Sequence, residues 1–475
     1  MLFSSMIFIW VFLPVVIIGN AILNVLPLSP SRSIKAKNIF LLLASLFFYA
    51  WGGIYYLLLM LAVIGINYLG GLLIKKAGRK KTMVLIGTLS LNLGLLFYFK
   101  YFNLFIQTVE HLRGMESGGM GLKEVILPIG ISFYIFQAMS YVIDCYRGNA
   151  KVQRNILDFA LYVSLFPQLI AGPIVQYKDI EKQLYLRKEN TDLFASGIKL
   201  FCFGLAKKVL IANVLAECVD RIWESDLSKI GFGVVILGSV AYALQIYYDF
   251  SGYSDMAIGL GRMFGFRFKE NFRTPYMSHS IQEFWRRWHI SLSSWFKEYV
   301  YIPLGGNKKG NARTCINLFI VFLLTGIWHG ANYTFFFWGM YYAFFIILER
   351  ALIGKFLDKN KWFGHIYTIL IVVFGWIFFR AQSFGDALAF IGGISRFGEG
   401  TFSYLQFVSF KTLLALLFGI LFCGPVQAVF GKFYDKTKEK PVVGIGRILL
   451  QTALLAVCIC MLVKGTYNPF IYFQF

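Results

Sequence analysis

Charge is what this chain has least of. Only 15 % of its 475 residues are Asp, Glu, Lys or Arg, against about 25 % in ordinary soluble domains. A water-facing surface cannot be built from so few, so a soluble globular enzyme is close to excluded. Acidic residues are scarcer still, 24 against 46 Lys plus Arg. The seven cysteines (Cys145, Cys202, Cys218, Cys315, Cys423, Cys458 and Cys460) have neither zinc-ligand nor disulfide-framework spacing. They read as small apolar packing residues. A serine-nucleophile motif, a metal cluster and a dinucleotide fingerprint are all missing, and nothing hydrolytic stands out. What the chain does have is 58 % apolar or aromatic residues, which points to lipid as its main solvent.

The net charge of +22 would suggest nucleic acid on a soluble protein. Here the basic residues fall in short gaps between apolar runs, as the positive-inside bias requires, so membrane topology is the better reading and no nucleic acid is expected. Spanning helices need roughly 20 mostly apolar residues. Runs at 3–24, 39–51, 54–74, 83–99 and 127–143 are read as spans or parts of them, and the first as retained rather than cleaved. Gaps rich in Lys and Arg (32–37, 75–81, 147–154) alternate with nearly neutral ones, which puts the N-terminus outside and Arg147 inside. In the same phase, 262–313, 350–361 and 432–447 are inside. The acidic stretch 217–226, residues 382–401 and the tail 469–475 are outside.

Two segments break the count because both must begin and end inside. Residues 161–177 contain Phe166-Pro167-Gln168 and Ala171-Gly172-Pro173, and irregular backbone at membrane depth is tolerated only under cover of protein or a water cavity. Residues 315–348 carry Gly326, Gly330 and Asn332 at their middle. Arms of about 15 residues, roughly 22 Å at 1.5 Å per residue, fall short of a crossing and predict an apex within the membrane. At that apex is His329, one of five histidines. An ionisable residue at such depth is a functional candidate by default, and a neutral imidazole is the best available base near pH 7. A core histidine bonded to a carbonyl is the alternative.

Other polar groups interrupt apolar patterns. Residues 281–302 have helical spacing, with Ile281, Trp285, Trp288, Leu292, Trp295 and Tyr299 on one face and Gln282, Arg286, His289, Ser293 and Lys297 on another. This predicts one interfacial or cavity-lining helix, and leaves His289 either catalytic or incidental. Gln245, Asp249 and Asp255 close another apolar run, either capping the next helix or lining a polar tunnel. The loop 304–310 is only loosely like a phosphate cradle.

Together these stretches resemble the membrane-bound O-acyltransferase family. The likeness lies in residues 245–259 (Gln-Ile-Tyr-Tyr-Asp-Phe-Ser-Gly-Tyr-Ser-Asp-Met-Ala-Ile-Gly), 271–276 (Asn-Phe-Arg-Thr-Pro-Tyr), 283–293 (Glu-Phe-Trp-Arg-Arg-Trp-His-Ile-Ser-Leu-Ser) and 326–330 (Gly-Ile-Trp-His-Gly). Residues 127–133 and 166–173 extend it to nearly the whole chain. The run Tyr301-Ile302-Pro303-Leu304-Gly305-Gly306-Asn307 is similar to the alginate O-acetylase and peptidoglycan O-acetyltransferase branch. The teichoic-acid D-alanylation relative lacks it.

The resemblance implies an all-α integral membrane protein of about ten to twelve embedded helices plus re-entrant segments, with a central tunnel. One polytopic domain over 1–475 is expected: N-terminal helices (1–125), a catalytic core (126–350), C-terminal helices (351–463) and an extracytoplasmic tail (464–475). It implies His329 as active-site histidine and His289 as the second family histidine. Carried over from a motif on a small partner protein of the D-alanylation system, Tyr472 in Pro469-Phe470-Ile471-Tyr472-Phe473-Gln474-Phe475 becomes the acyl relay. The expected substrate- and donor-binding set is Asn271, Arg273, Trp285, Arg286, Trp288, Asp249, Trp328 and Asn332, with no metal. The implied donor is cytoplasmic acetyl-coenzyme A, with no permanently bound cofactor. Its phosphates are expected at a basic inner surface that includes Arg273, Arg286, Arg287 and Lys308. The implied acceptor is an extracytoplasmic polysaccharide, reached through a serine-type (SGNH-like) O-acetyltransferase partner. The implied location is the bacterial cytoplasmic membrane, multi-pass, with both termini extracytoplasmic. D-alanyl transfer to teichoic acid, a proton-coupled transporter or flippase, and a non-catalytic acyl-carrier scaffold are the alternatives.

Overall fold

The computed structural model describes residues 1–116, 118–170, 172–398, 400, 402–424, 426, 429, 441–465 and 467–471. Among them every regular element is a helix, and the β-bridge between Ile230 and Phe402 is isolated. Nine helices among the described residues are long and apolar enough to cross a membrane: Phe8–Val25, Pro30–Ala50, Ile54–Lys76, Gly78–Leu112, Phe232–Met263, Gly310–His329, Tyr333–Lys359, Lys361–Arg380 and Val442–Lys464. Phe384–Ser395 and Phe410–Phe422 are shorter apolar helices. Large apolar side chains such as Leu43, Met83, Ile86, Leu370 and Leu449 are more than half exposed. Exposed apolar side chains on so many long apolar helices suit lipid and not water. The protein is a multi-pass, all-α membrane protein. Of the basic stretch 432–447, residues 432–440 lie outside the described residues and the rest begins the helix Pro441–Lys464.

The chain gathers into two compact units, Met1–Ile198 with Ala257–Lys269, and Lys199–Met256 with Glu270–Phe475. In the first, the helix Ile131–Arg147 is buried from Ile131 through Cys145. It starts later than the apolar run because Pro128 and the left-handed Gly130 (φ 75°) precede it. The 161–177 segment is irregular, as expected: Ile156–Ser164 and Phe166–Leu169 are short helices, followed by non-helical chain. Its described residues are buried and bonded to their surroundings. Phe166 N donates to Ser45 Oγ (3.1 Å), Gln168 Nε2 to the Tyr162 carbonyl (2.6 Å) and Tyr162 Oη to the Val175 carbonyl (3.0 Å). Lys75, Lys81, Arg147, Lys151 and Arg154 line one recess of about 700 Å³. Two basic gaps assigned to one side of the membrane therefore do share a side.

The second unit is organised around a helical hairpin. Gly310–His329 and Tyr333–Leu348 pack through Gly326 and Gly339. A Cβ on Gly326 would lie 2.4 Å from the Phe335 carbonyl, and one on Gly339 2.5 Å from the Phe322 carbonyl. Asn332 makes the turn: its Oδ1 accepts from Thr334 N (3.0 Å), and its Nδ2 donates to the Gln382 carbonyl (2.6 Å). The arms are longer than the apolar pattern predicts. The first has 20 residues and the second runs on to Lys359, 27 residues in all. At 1.5 Å per residue these are about 30 and 40 Å, so arm length does not hold the apex at mid-membrane. The helices gain that length by continuing into polar turns at Gly310–Arg313 and Glu349–Lys359, which apolarity alone does not count.

Loops expected on the outer side also meet. Arg380 Nη2 pairs with Asp220 Oδ1 (2.8 Å), Arg396 Nη1 donates to the Ile230 carbonyl (2.8 Å), and Arg221 Nη2 to the Gln406 carbonyl (2.8 Å). The contact of Asn332 with Gln382 puts the hairpin apex at this same end. Lys207 and Lys208 sit inside a continuous helical run. They lie on a π-helical stretch, Lys207–Ala212, between the helices Thr191–Ala206 and Asn213–Trp223.

Candidate active site

The helix Ile281–Arg287 is held at its start by two acceptors. Ser280 Oγ takes Glu283 N (3.1 Å), and the Glu349 carboxylate takes Ile281 N (2.5 Å) and Gln282 N (3.0 Å). It ends sharply. Trp288 is extended, His289 is left-handed (φ 44°), and a second helix, Ile290–Phe296, begins. The single helix predicted over 281–302 is thus two, broken at the histidine. No glycine or proline marks the break, and its cause is tertiary. Arg273 N donates to the Arg287 carbonyl (2.9 Å) and Ile290 N to the Asn271 carbonyl (3.0 Å), drawing the chain into an extended pairing between the helices. Thr274 in the facing segment is also left-handed (φ 43°). Such conformations cost non-glycine residues of order 1–3 kcal/mol each and concentrate at functional sites.

The break turns His289 away from the polar face predicted for it. It is 1 % exposed, its Nδ1 lies 3.3 Å from Asn271 Oδ1, and its ring stands edge-on to Phe250 at 4.6 Å. Burial pushes the imidazole down to about 3, so it is neutral at physiological pH. Asn271 is buried and bonded throughout: Nδ2 donates to Ser254 Oγ (3.2 Å), while Oδ1 accepts from Ser291 N (3.0 Å) and Ser291 Oγ (2.9 Å). It shapes the His289 turn.

His329 is the last residue of its helix and 4 % exposed. The rings of Trp338 (5.0 Å), Phe379 (5.1 Å) and Trp328 (5.1 Å) stand steeply around it. Trp328 also reaches the His289 ring at 5.9 Å, so one indole touches both histidines. Sequence reasoning missed Phe250, Trp338 and Phe379. Trp338 and Phe379 sit in apolar runs with nothing to distinguish them from ordinary core, and Phe250 follows Asp249 at the polar close of its run.

The remaining candidates divide. Trp285 packs edge-on to Trp338 (5.4 Å) and Tyr342 (5.0 Å), and Trp288 lies against Trp376 (4.9 Å) and Phe272 (5.0 Å). Both are walls of the buried aromatic core. Asn332 is the cap of the hairpin turn. Asp249 and Asp255 pair with Lys208 and Lys207, each at 2.6 Å, and neither caps a helix. Arg273 is exposed and paired with Glu270 (2.8 Å), and Arg287 is paired with Glu283 (2.6 Å). Arg286 and Lys308 are exposed. In the loop before the hairpin, the Gly306 carbonyl is taken by Asn317 Nδ2 (3.1 Å). Tyr472 lies outside the described residues, which stop at Ile471. Ile471 is 3 % exposed and belongs to the same buried cluster as Trp285, Trp288, Trp338 and Phe379.

A helical membrane scaffold enclosing two histidines against a shared tryptophan defines a class. The model of the MBOAT, membrane-bound O-acyltransferase family matches residues 84–384, and the chain belongs to that family. It is an acyltransferase, and its chemistry takes an acyl donor. It is 40 % identical to a probable alginate O-acetylase of Pseudomonas putida, with all of both chains covered. It is 36 % identical to a peptidoglycan O-acetyltransferase of Helicobacter pylori over 83 % of this chain and 80 % of the other. A teichoic acid D-alanyltransferase of Bacillus subtilis is 27 % identical over 54 % of this chain and 69 % of its own.

Proposed function

We propose that this acyltransferase moves an acetyl group from cytoplasmic acetyl-coenzyme A across the bacterial cytoplasmic membrane for O-acetylation of an extracytoplasmic polysaccharide. His329 serves as general base. One observation carries the reading: a histidine 4 % exposed, at the apex of a membrane hairpin, in a chain similar along its whole length to a protein named for alginate O-acetylation. The transporter alternative has no comparable support, and the D-alanyl alternative rests on relatives matched over about half the chain.

In this reading the Tyr472 hydroxyl attacks the thioester carbonyl while His329 takes its proton. A phenol of pKa about 10 needs such a base near pH 7. The C–S bond breaks, coenzyme A leaves as thiolate, and the imidazolium returns the proton to it. The acetyl ester on Tyr472 passes to the nucleophilic serine of an extracytoplasmic SGNH-like partner and then to a sugar hydroxyl, both termini lying on that outer side. His289 buttresses Trp328, and Arg286 and Lys308 attract the donor's phosphates. Incubating the purified protein with labelled acetyl-coenzyme A tests this. Free coenzyme A and an acetylated C-terminal peptide are expected, both lost in His329→Ala and the peptide label lost in Tyr472→Phe. A label that persists in Tyr472→Phe overturns the relay, and thioester cleavage unchanged in His329→Ala overturns the base.

A further inference from the structure

Residues 467–471 are held by side chains from two helices, and the grip is made almost wholly of buried or half-buried polar groups. Tyr467 Oη donates to Asp220 Oδ2. Asn213 Nδ2 donates to Asn468 Oδ1 (3.1 Å). Lys208 Nζ donates to the Pro469 carbonyl and pairs with Asp249 Oδ1 (2.6 Å). The other carboxylate oxygen of Asp249 accepts from Ile471 N (2.9 Å). Asp220, Asn213 and Lys208 thus take successive residues 467, 468 and 469, and Asp249 takes residue 471. Between them the Phe470 ring lies 4.6 Å from Tyr253 and beneath the Lys208 ammonium (5.8 Å).

The Lys208–Asp249 pair is the centre of this grip. Its side chains are 2 % and 3 % exposed, and buried charges are costly unless paired and hydrogen-bonded. Each uses its spare bonding capacity on the backbone of the tail, Lys208 on a carbonyl and Asp249 on an amide. That choice fixes the register of the segment through its backbone. Gly204 and Gly252 let the two helices approach: a Cβ on either would lie 2.5 or 2.7 Å from the other's carbonyl. The pair also leads to the histidines, since the residue after Asp249 is Phe250, whose ring packs on His289 at 4.6 Å.

We infer that Lys208 and Asp249 form a register clasp that seats the 467–471 segment, and that acylation of the tail depends on this seating. They are positioning residues, acting on the tail and not on the donor. The inference rests on the relay reading for its catalytic consequence but not for the clasp itself, and the test separates the two.

Hydrogen exchange of the C-terminal peptide and acyl transfer are measured on the full-length protein in nanodiscs, for wild type, Lys208→Met, Asp249→Ala and the conservative Lys208→Arg. The clasp predicts at least tenfold faster exchange at the Ile471 amide in Lys208→Met and Asp249→Ala. It predicts at least a tenfold fall in kcat for tail acylation with little change in KM for the acyl donor. Lys208→Arg should restore part of both. Where either severe variant fails to fold, Asn213→Ala supplies the milder case, with a smaller change in the same sense. Unchanged exchange in the variants overturns the clasp. Faster exchange with unchanged kcat overturns its positioning role. A wild-type tail that is protected but never acylated sinks the relay and leaves the clasp standing.

Discussion

Asn271 Oδ1 and His289 Nδ1 lie 3.3 Å apart, both side chains 1 % exposed, and the amide oxygen that faces the ring also takes the backbone N–H and hydroxyl of Ser291. One side chain therefore satisfies the start of the second helix and fixes the face that the imidazole presents. The left-handed turn at His289 exists because Asn271 accepts the groups that the broken helix leaves over.

Replacing Asn271 with Ala leaves two buried donors of Ser291 without this acceptor. Unsatisfied buried groups cost about 1–3 kcal/mol each, so a loss of about 2–6 kcal/mol is expected. Acyl-transfer activity should fall at least tenfold because the His289 turn relaxes toward continuous helix. Ser254→Ala, which removes only the bond at Nδ2 and leaves one buried donor without its acceptor, should cost about 1–3 kcal/mol. Thermal unfolding in detergent together with coenzyme A release checks the pair, and equal losses in both variants would refute the argument.

The depressed His289 pKa has a definite sign. Its folded value is about 3 against an ordinary 6.5, so between these values the unfolded chain binds the extra proton. The contribution of this group to stability is complete above pH 6.5 and is lost as pH falls toward 3. A His289→Asn variant, which keeps a side chain tolerant of the left-handed backbone, should show a flatter decline in Tm across that window. His289 should add no limb to the pH–rate profile between pH 5 and 9. A limb in that range that disappears in His289→Asn would show that the imidazole titrates during turnover.

How much of this was legible depends on which interactions are local. Spans, basic gaps and the His329 hairpin follow from apolar length and from a lone histidine between apolar runs, and the structure bears out the hairpin. Asp249 and Lys208 carried a signal, since opposite charges inside two apolar runs call for each other, but the tail that they grip is more than 200 residues away. The break at His289 had no local signal at all. Its two helices flank a two-residue interruption that keeps the apolar face nearly in phase, so periodicity reads straight through it. The acceptors at Asn271 and Glu349 that stabilise the two helix starts come from distant segments. Arm length misled for a related reason: a helix does not stop where its apolar stretch stops.

The hairpin itself makes a packing prediction. At Gly326 an added Cβ would stand 2.4 Å from a backbone oxygen, that of Phe335, and backbone cannot step aside as a flexible side chain can. Gly326→Val should destabilise the protein by about 1–3 kcal/mol or more and, by prising the arms apart, displace His329 and abolish transfer. Gly87 offers the control, because a Cβ there meets nothing within 4 Å. Gly87→Ala should be neutral or gain up to about 1 kcal/mol of helix propensity. Unfolding midpoints and turnover for the two variants decide the matter.

The last prediction concerns the donor. Four basic residues were expected to attract its phosphates, but two are already committed, Arg273 to Glu270 and Arg287 to Glu283. An arginine in an ion pair presents far less net field than one facing solvent, and unscreened surface charge acts mainly on encounter with an oppositely charged ligand. Arg286→Gln and Lys308→Gln should therefore raise KM for an anionic acyl donor about three- to tenfold at low salt with little change in kcat. Arg273→Gln, which also frees Glu270 to repel the donor, should respond only to the extent of that exposed carboxylate. The double variant Arg273→Gln with Glu270→Gln should return to near wild type. Because the Debye length shrinks from about 30 Å at 0.01 M to about 8 Å at 0.15 M, the Arg286 and Lys308 effects should diminish across that range. KM shifts that are equal for Arg286, Lys308 and Arg273, or indifferent to salt, would mean that the donor meets a different surface.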